Sequence, residues 1–313
     1  MKVYTSVAGL PDGFGPSAVT IGKFDGVHTG HRAVIDRLRQ VAQERGLTTA
    51  VITFDRNPLE LIAPEKCPSS LVSNEQKLDL LAGTGVDATL MLAFDRSLAD
   101  LPPEEFVHRI LVDRLHAAAV LVGSDFRYGA RGAGDVELLR VLGAKYGFEV
   151  VLIDDVRPEH GRRVSSTWIR ELLAEGDVRH AARLLGHVPT VRGLVVHGAK
   201  RGRELGFPTA NLSPESEGLI PADGVYAGWL ADAGERYPAA ISVGNNPTFE
   251  GVPHKQVEAY VLDRDLDLYG HRVEVSFVER IRGMVAYEGI EPLIAQIADD
   301  VEHARGILTA ETA

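Results

Sequence analysis

Thr20-Ile21-Gly22-Lys23-Phe24-Asp25-Gly26-Val27-His28-Thr29-Gly30-His31 carries an apolar run into three glycines and two histidines, directly before a stretch with helical periodicity. Upstream, Ser17 to Ile21 has the β-branched and apolar make-up of a buried strand. Downstream, Val34, Ile35, Leu38 and Val41 recur at helical spacing until Gly46 stops the pattern. The glycines between them let backbone approach a ligand closely. The turn thus delivers a helix N-terminus whose unbonded N–H groups attract phosphate. His28 and His31 add donors able to stabilise charge that develops on a phosphate as its leaving group departs, and neither has to act as a base. Two histidines beside a glycine turn can equally be surface polar residues or part of a metal site, and spacing alone leaves these readings open.

Working outward, strand-like runs at Thr49 to Phe54, Ala88 to Phe94, Ala118 to Val122 and Glu149 to Asp154 alternate with helical patterns. This rhythm predicts a doubly wound parallel sheet. Ligands of such sheets gather beyond the carboxyl ends of the strands. His28, Thr53-Phe54-Asp55 and Gly123-Ser124-Asp125 would all lie there.

The bulk properties agree with an enzyme. A chain of 313 residues, 45% hydrophobic, suggests about two domains, each able to bury a core. A formal charge of −11 disfavours general nucleic-acid binding, so an anionic substrate would be held by local positive groups such as Lys23, Arg163, Lys200, Arg201 and Arg203. The single cysteine, Cys67, excludes an internal disulfide framework and a cysteine-based zinc cluster. No stretch is long enough to span a bilayer and the first residues hold no continuous apolar segment, so a cytoplasmic protein without a membrane partner is expected. A homo-oligomer stays open.

A second informative stretch is Arg163-Val164-Ser165-Ser166-Thr167-Trp168-Ile169-Arg170, leading into a helix-like run, Glu171 to Ala174. Ser166 or Thr167 can be an N-cap hydroxyl; the same hydroxyls with Arg170 can instead form a clamp on phosphates. The helical pattern ends near Leu185-Gly186-His187-Val188-Pro189. Short strand-like runs follow at Val191 to Val196, Val225 to Leu230, Ala239 to Val243, Val257 to Leu262 and Arg272 to Val278. They predict a compact antiparallel barrel closed by a helix from about Ile290 to Leu308.

Three motifs carry a resemblance. The first quoted segment resembles the HxGH signature of the nucleotidyltransferase superfamily. The segment 163–170 resembles the SSTxIR motif that accompanies HxGH in bacterial FAD synthetases. The stretch from Gly198 through Gly206-Phe207-Pro208-Thr209-Ala210-Asn211-Leu212 resembles the riboflavin kinase signature, and Pro221 to Tyr226, Gly244 to Phe249, Val257-Glu258 and Asp267 to Gly270 follow that family in order. The chain is therefore identified, by resemblance over almost its whole length, as a member of the bacterial bifunctional riboflavin kinase and FMN adenylyltransferase family. That implies a nucleotidyltransferase domain at 1–186 and a kinase domain at 187–313. It also implies riboflavin, FMN and ATP as the bound molecules.

The resemblance implies roles for individual residues. ATP for adenylyl transfer falls to Gly22, Phe24, Asp25, His28 and His31 with Arg163, Ser166, Thr167 and Arg170. ATP for phosphorylation falls to Lys200, Arg203, Thr209 and Asn211, the last two also holding Mg²⁺, an ion that favours such hard oxygen donors. Glu258 is the implied kinase base, orienting and deprotonating the ribityl hydroxyl; read without the resemblance, it is a solvent-facing strand residue. Flavin contacts fall to Pro58, Phe106, Asp125 and Tyr128, although aromatic residues of this kind are often core. Two departures from the family pattern stand out. Ile62 lies where relatives often carry an aromatic residue, and 282–287 replaces a more charged segment. A nucleotidyltransferase with another phosphorylated acceptor, and a flavin-binding protein without turnover, are the competing readings.

Overall fold

The structure, a computed structural model, describes residues 1–157, 161–198, 206–245 and 255–312. Internal contacts divide the chain into two units, Met1–Ser70 with Asn74–Ser165, and Leu71–Ser73 with Ser166–Ala313.

The first unit holds six strands: β1 (Lys2–Tyr4), β2 (Ser17–Ile21), β3 (Thr48–Phe54), β4 (Ala88–Leu92), β5 (Ala117–Gly123) and β6 (Glu149–Ile153). They lie in the order β1-β4-β3-β2-β5-β6, every adjacent pair parallel. The chain steps from β2 to β3 and β4, then returns to the far side of β2 for β5 and β6. The order thus reverses between β2 and β5, and a doubly wound sheet opens its ligand crevice at that reversal.

Both faces of this sheet are covered, which is why its strands read as continuous apolar runs. Ala18, Val51 and Leu121 pack on one side with Ile35, Leu38 and Val41 of α1 (Thr29–Arg45). The next residues along the pleat, Val19, Ile52 and Val120, face the other way. They meet Leu139 and Leu142 of the helix Val136–Tyr146. Gly46, at φ +64°, ends α1 in the left-handed conformation that glycine adopts without strain.

The expected doubly wound sheet is present, with local differences. β1 lay below the length that periodicity can detect. The run from Ala88 stops at Leu92 rather than Phe94, because the Phe94 N–H donates to Asp55 Oδ1 (2.9 Å) instead of extending the ladder. α1 starts at Thr29, two residues before the apolar pattern becomes visible.

In the second unit, α2 (Ser166–Glu175) and α3 (Val178–Leu185) precede a closed antiparallel barrel. Its strands are β7 (Thr190–Val196), β8 (Ala210–Leu212), β9 (Gly224–Asp232), β10 (Glu235–Asn245), β11 (Lys255–Val261) and β12 (Arg272–Arg282), in the order β10-β11-β8-β7-β12-β9. Closure removes the free sheet edges. The strand β8 was not among the expected runs; it forms because β7 and β11 offer ladders on both sides. The expected C-terminal helix, α4 (Ile290–Thr312), packs Ala304 and Leu308 against Ala227 and Val278. Arg282 pins it by two hydrogen bonds to the buried Asp300, at 2.8 and 2.6 Å. Among the described residues, no helix is long and apolar enough to cross a membrane.

Candidate functional site

The turn after β2 is held in a conformation that few residues adopt. Gly22 N–H donates to Ile52 O (3.0 Å), and Thr53 Oγ1 donates to Lys23 O (3.0 Å), so neighbouring β3 fixes the exit of β2. Phe24 and Val27 follow at φ +50° and +40°, left-handed conformations that cost a non-glycine residue on the order of 1–3 kcal/mol. Their side chains are buried with Ile35 and Leu38, which offsets that strain.

His28 is itself the N-cap of α1: its Nδ1 accepts the backbone N–H of His31 at 3.3 Å. The two imidazoles stack, with centroids 3.6 Å apart and planes 16° from parallel. A Cβ placed on Gly30 would lie 3.1 Å from His28 Cε1, so the glycine makes room for the ring. Burial, assisted by the charge of Arg163, pulls the His28 pKa down to about 4. Burial also holds His31 well below the usual imidazole range, with His28, Lys23, Arg163 and Lys77 adding to the effect. Both rings are therefore neutral near pH 7. Because Nδ1 of His28 is an acceptor, its single proton sits on Nε2, which is the ring's donor. His31 Nδ1 is buried and without a hydrogen-bond partner among the described residues.

Arg163 bridges two loops at the carboxyl ends of β5 and β6, pairing with Asp125 (2.6 Å) and Asp155 (2.9 Å). Two residues that the sequence places in different roles, Arg163 with ATP and Asp125 with flavin, thus meet directly. Lys77, which the sequence reading passed over, lies on the helix Asn74–Ala82, is only 7% exposed, and donates from Nζ to Phe54 O at 2.8 Å. The available signal was its spacing: Lys77 and Leu81 share one helical face, and both are buried.

The aromatic residues singled out for flavin are core side chains. Phe106 and Tyr128 pack in the same cluster as Val122 and Leu139, and Phe126 stacks on Tyr128 at 5.5 Å and 13°. The Tyr128 hydroxyl is buried without a hydrogen-bond partner among the described residues, and burial raises its pKa to about 12. Pro58 opens the short helix Pro58–Ile62, capped by Asn57, whose side chain accepts the Leu59 N–H. Ile62 is exposed.

In the second unit, Ser166 and Thr167 form the first turn of α2 rather than preceding it, and Arg170 follows one turn later. On the barrel, β11 and β8 set Glu258 opposite Asn211. Thr209 Oγ1 donates to Glu258 Oε2 (3.3 Å), and Asn211 Nδ2 donates to Thr209 Oγ1 (3.1 Å) and Thr209 O (3.2 Å). The amide orientation leaves Asn211 Oδ1 as an acceptor. A Cβ on Gly198 would come within 2.4 Å of that oxygen, so any side chain here would push the Asn211 amide out of place. Along β11, Val257, Ala259 and Val261 are buried while Gln256, Glu258 and Tyr260 are partly exposed, which puts the Glu258 carboxylate on the outer face. Lys200 and Arg203 lie outside the described residues.

A histidine-capped helix at the reversal of a parallel sheet, and a Thr-Asn-Glu cluster on an antiparallel barrel, define a two-part transferase that handles phosphate groups. Family models agree: FAD synthetase matches residues 12–168, and riboflavin kinase matches residues 185–308. The bifunctional riboflavin kinase/FMN adenylyltransferase of Escherichia coli (strain K12) is 40% identical, over 92% of this chain and 91% of its own. That of Listeria monocytogenes is 38% identical over the same shares. A solved structure described as a macrolide-efflux protein from Streptococcus pneumoniae is 31% identical, covers 97% of this chain and 98% of its own, and superimposes with a TM-score of 0.86. The chain belongs to the bifunctional riboflavin kinase/FMN adenylyltransferase family.

Proposed function

We propose that this chain phosphorylates riboflavin with ATP, giving FMN and ADP, and then adenylylates FMN with a second ATP, giving FAD and pyrophosphate. What carries this reading is the presence, on one chain, of the capped histidine turn and of the Thr209-Asn211-Glu258 cluster. The functional division runs 1–186 for adenylyl transfer and 187–313 for the kinase.

In the kinase reaction, Glu258 takes the proton of the ribityl hydroxyl as that oxygen attacks the γ-phosphorus of ATP. The Thr209 hydroxyl orients the carboxylate through its bond to Oε2. Thr209 Oγ1 and Asn211 Oδ1, hard neutral donors on adjacent side chains, would hold a Mg²⁺ brought with ATP. When bound with ATP, that ion neutralises phosphate charge. Lys200 and Arg203, on the glycine-rich segment, complete the hold on ATP.

Adenylyl transfer needs no base. The FMN phosphate has a second pKa of about 6 and is largely dianionic at neutral pH. Its oxygen attacks the α-phosphorus of ATP, and pyrophosphate leaves. The site aligns the two groups and neutralises the departing charge. His28 donates from Nε2, His31 supports it by stacking, and Gly22, Phe24 and Asp25 shape the turn. Arg163, Ser166, Thr167 and Arg170 hold the remaining phosphate oxygens. Pro58 and Asp125 flank the flavin, with Phe106 and Tyr128 as a floor within the core. The setting is the cytoplasm, with riboflavin, FMN and ATP as partners, neither nucleic acid nor membrane, and a homo-oligomer left open; the net charge of −11 supports the exclusion of nucleic acid.

A chromatographic time course of riboflavin, FMN and FAD with ATP and Mg²⁺, with parallel assays for ADP and pyrophosphate, tests the whole scheme. FMN followed by FAD is the expected result. FMN alone removes the adenylyl-transfer assignment, and neither product from folded protein, also supplied with FMN, overturns both.

A further inference from the structure

Lys77 is a buried charge for which the reaction above has no use. Its ammonium carries three N–H donors. Among the described residues only Phe54 O accepts from it, at 2.8 Å, and no carboxylate forms an ion pair with it. A cation 93% removed from solvent with two donors left over is costly unless something anionic completes it. If the lysine served only to tie the end of β3, a neutral amide would do the same at less expense in desolvation.

Its surroundings identify the anion. Phe54 is the last residue of β3, at the carboxyl edge of the sheet, paired with Leu92 of β4 and two residues beyond the last β2–β3 pair, Ile21 with Ile52. Asp25, in the turn that leads to His28, and Asp55, after β3, both act on the ammonium electrostatically, while burial lowers its pKa. His31 feels its positive charge. The Asp55 carboxylate is already engaged by the Phe94 N–H and lies 3.5 Å from Arg56 Nε. Lys77 therefore bonds the carboxyl end of β3, four residues before Pro58, the position assigned to flavin, and acts electrostatically on the turn assigned to ATP.

We propose that Lys77 is a further substrate-binding residue for adenylyl transfer, its two remaining N–H groups holding the phosphate of FMN that attacks ATP. This rests on the reading of residues 1–186 as an FMN adenylyltransferase. The lysine would lower the affinity-limiting charge repulsion between an attacking dianion and the ATP phosphates, and would fix the line of attack.

The test compares Lys77→Gln, which keeps a donor for Phe54 O but no charge, with Lys77→Arg. Michaelis constants for FMN and for ATP are measured separately in FAD formation, and FMN formation from riboflavin by the same chains reports on the second unit. Near-ultraviolet circular dichroism reports on folding. Lys77→Gln is expected to raise KM for FMN on the order of tenfold or more, leaving KM for ATP within about twofold, with Lys77→Arg recovering most of the loss. A KM for FMN that does not change, a parallel rise for both substrates, or loss of folding in both variants would make Lys77 a structural tie and overturn the proposal. Absence of FAD formation by the unsubstituted chain would instead remove the underlying reading, so the two failures are told apart.

Discussion

His28 combines three properties that depend on one another: it caps α1, it is buried, and it is neutral. A pKa of about 4 in the folded chain, against 6.5 unfolded, means the unfolded chain binds the extra proton as pH falls through that window. Stability from this group is complete above pH 6.5 and is lost progressively down to pH 4, a total on the order of 3 kcal/mol. Urea denaturation at pH 7.5 and pH 4.5 should show this fall, and His28→Asn should flatten it; an equal fall in the variant would assign the effect to other groups. Glu258 makes the complementary case in the second unit. Glu258→Gln keeps the shape of the cluster but not the base, so FMN formation should drop by about 10²-fold or more while FAD formation from supplied FMN stays near its original rate. Radiolabelled or chromatographic assays of the two half-reactions decide it.

Local elements set these side chains through contacts only a few ångströms wide. Gly198, before β8, leaves no space for a methyl group beside Asn211 Oδ1 at 2.4 Å. Gly198→Ala should therefore displace the amide and abolish kinase activity in a protein that still folds, a loss read as ATP turnover with riboflavin. The C-terminal helix depends on a different device. Asp300 is 4% exposed and takes two hydrogen bonds from Arg282, with a further one from Gln296 Nε2 at 3.1 Å. Asp300→Ala leaves the guanidinium without its buried partner and should cost about 3–5 kcal/mol. A lower urea midpoint for the barrel, with an unchanged rate of FAD formation from FMN measured below the transition, is the expected outcome.

At the scale of the molecule, two reactions share an intermediate. If FMN leaves the kinase site freely, an equimolar mixture of Glu258→Gln and His28→Asn chains should convert riboflavin to FAD, each chain supplying the activity that the other lacks. A mixture that accumulates FMN, although the His28-intact chain accepts added FMN, would mean that transfer within one chain is required. The negative charge of the whole chain does not draw either anionic substrate toward it, so binding depends on the local groups that each unit presents.

Much of this protein was legible in order along the chain. β2 was read with its observed bounds, the helix after it to within two residues at its start, and every barrel strand except β8 by its spacing, because hydrophobic periodicity records which face of an element is buried. The motif residues likewise named both reactions. What the linear chain did not disclose are properties of meetings between distant segments. Thr209 and Glu258 are 49 residues apart and bond only because β8 and β11 pair, and β8 itself forms only between its two neighbours. Arg163 joins Asp125 across 38 residues. Lys77 became a buried cation only when its helix packed on the end of β3, and the histidines became neutral only through burial at the same edge. Sequence determined the elements and the chemistry available to them, since both follow from local composition and spacing. Tertiary structure decided which charges were desolvated and which donors were left over, because dielectric and distance are properties of the packed chain alone.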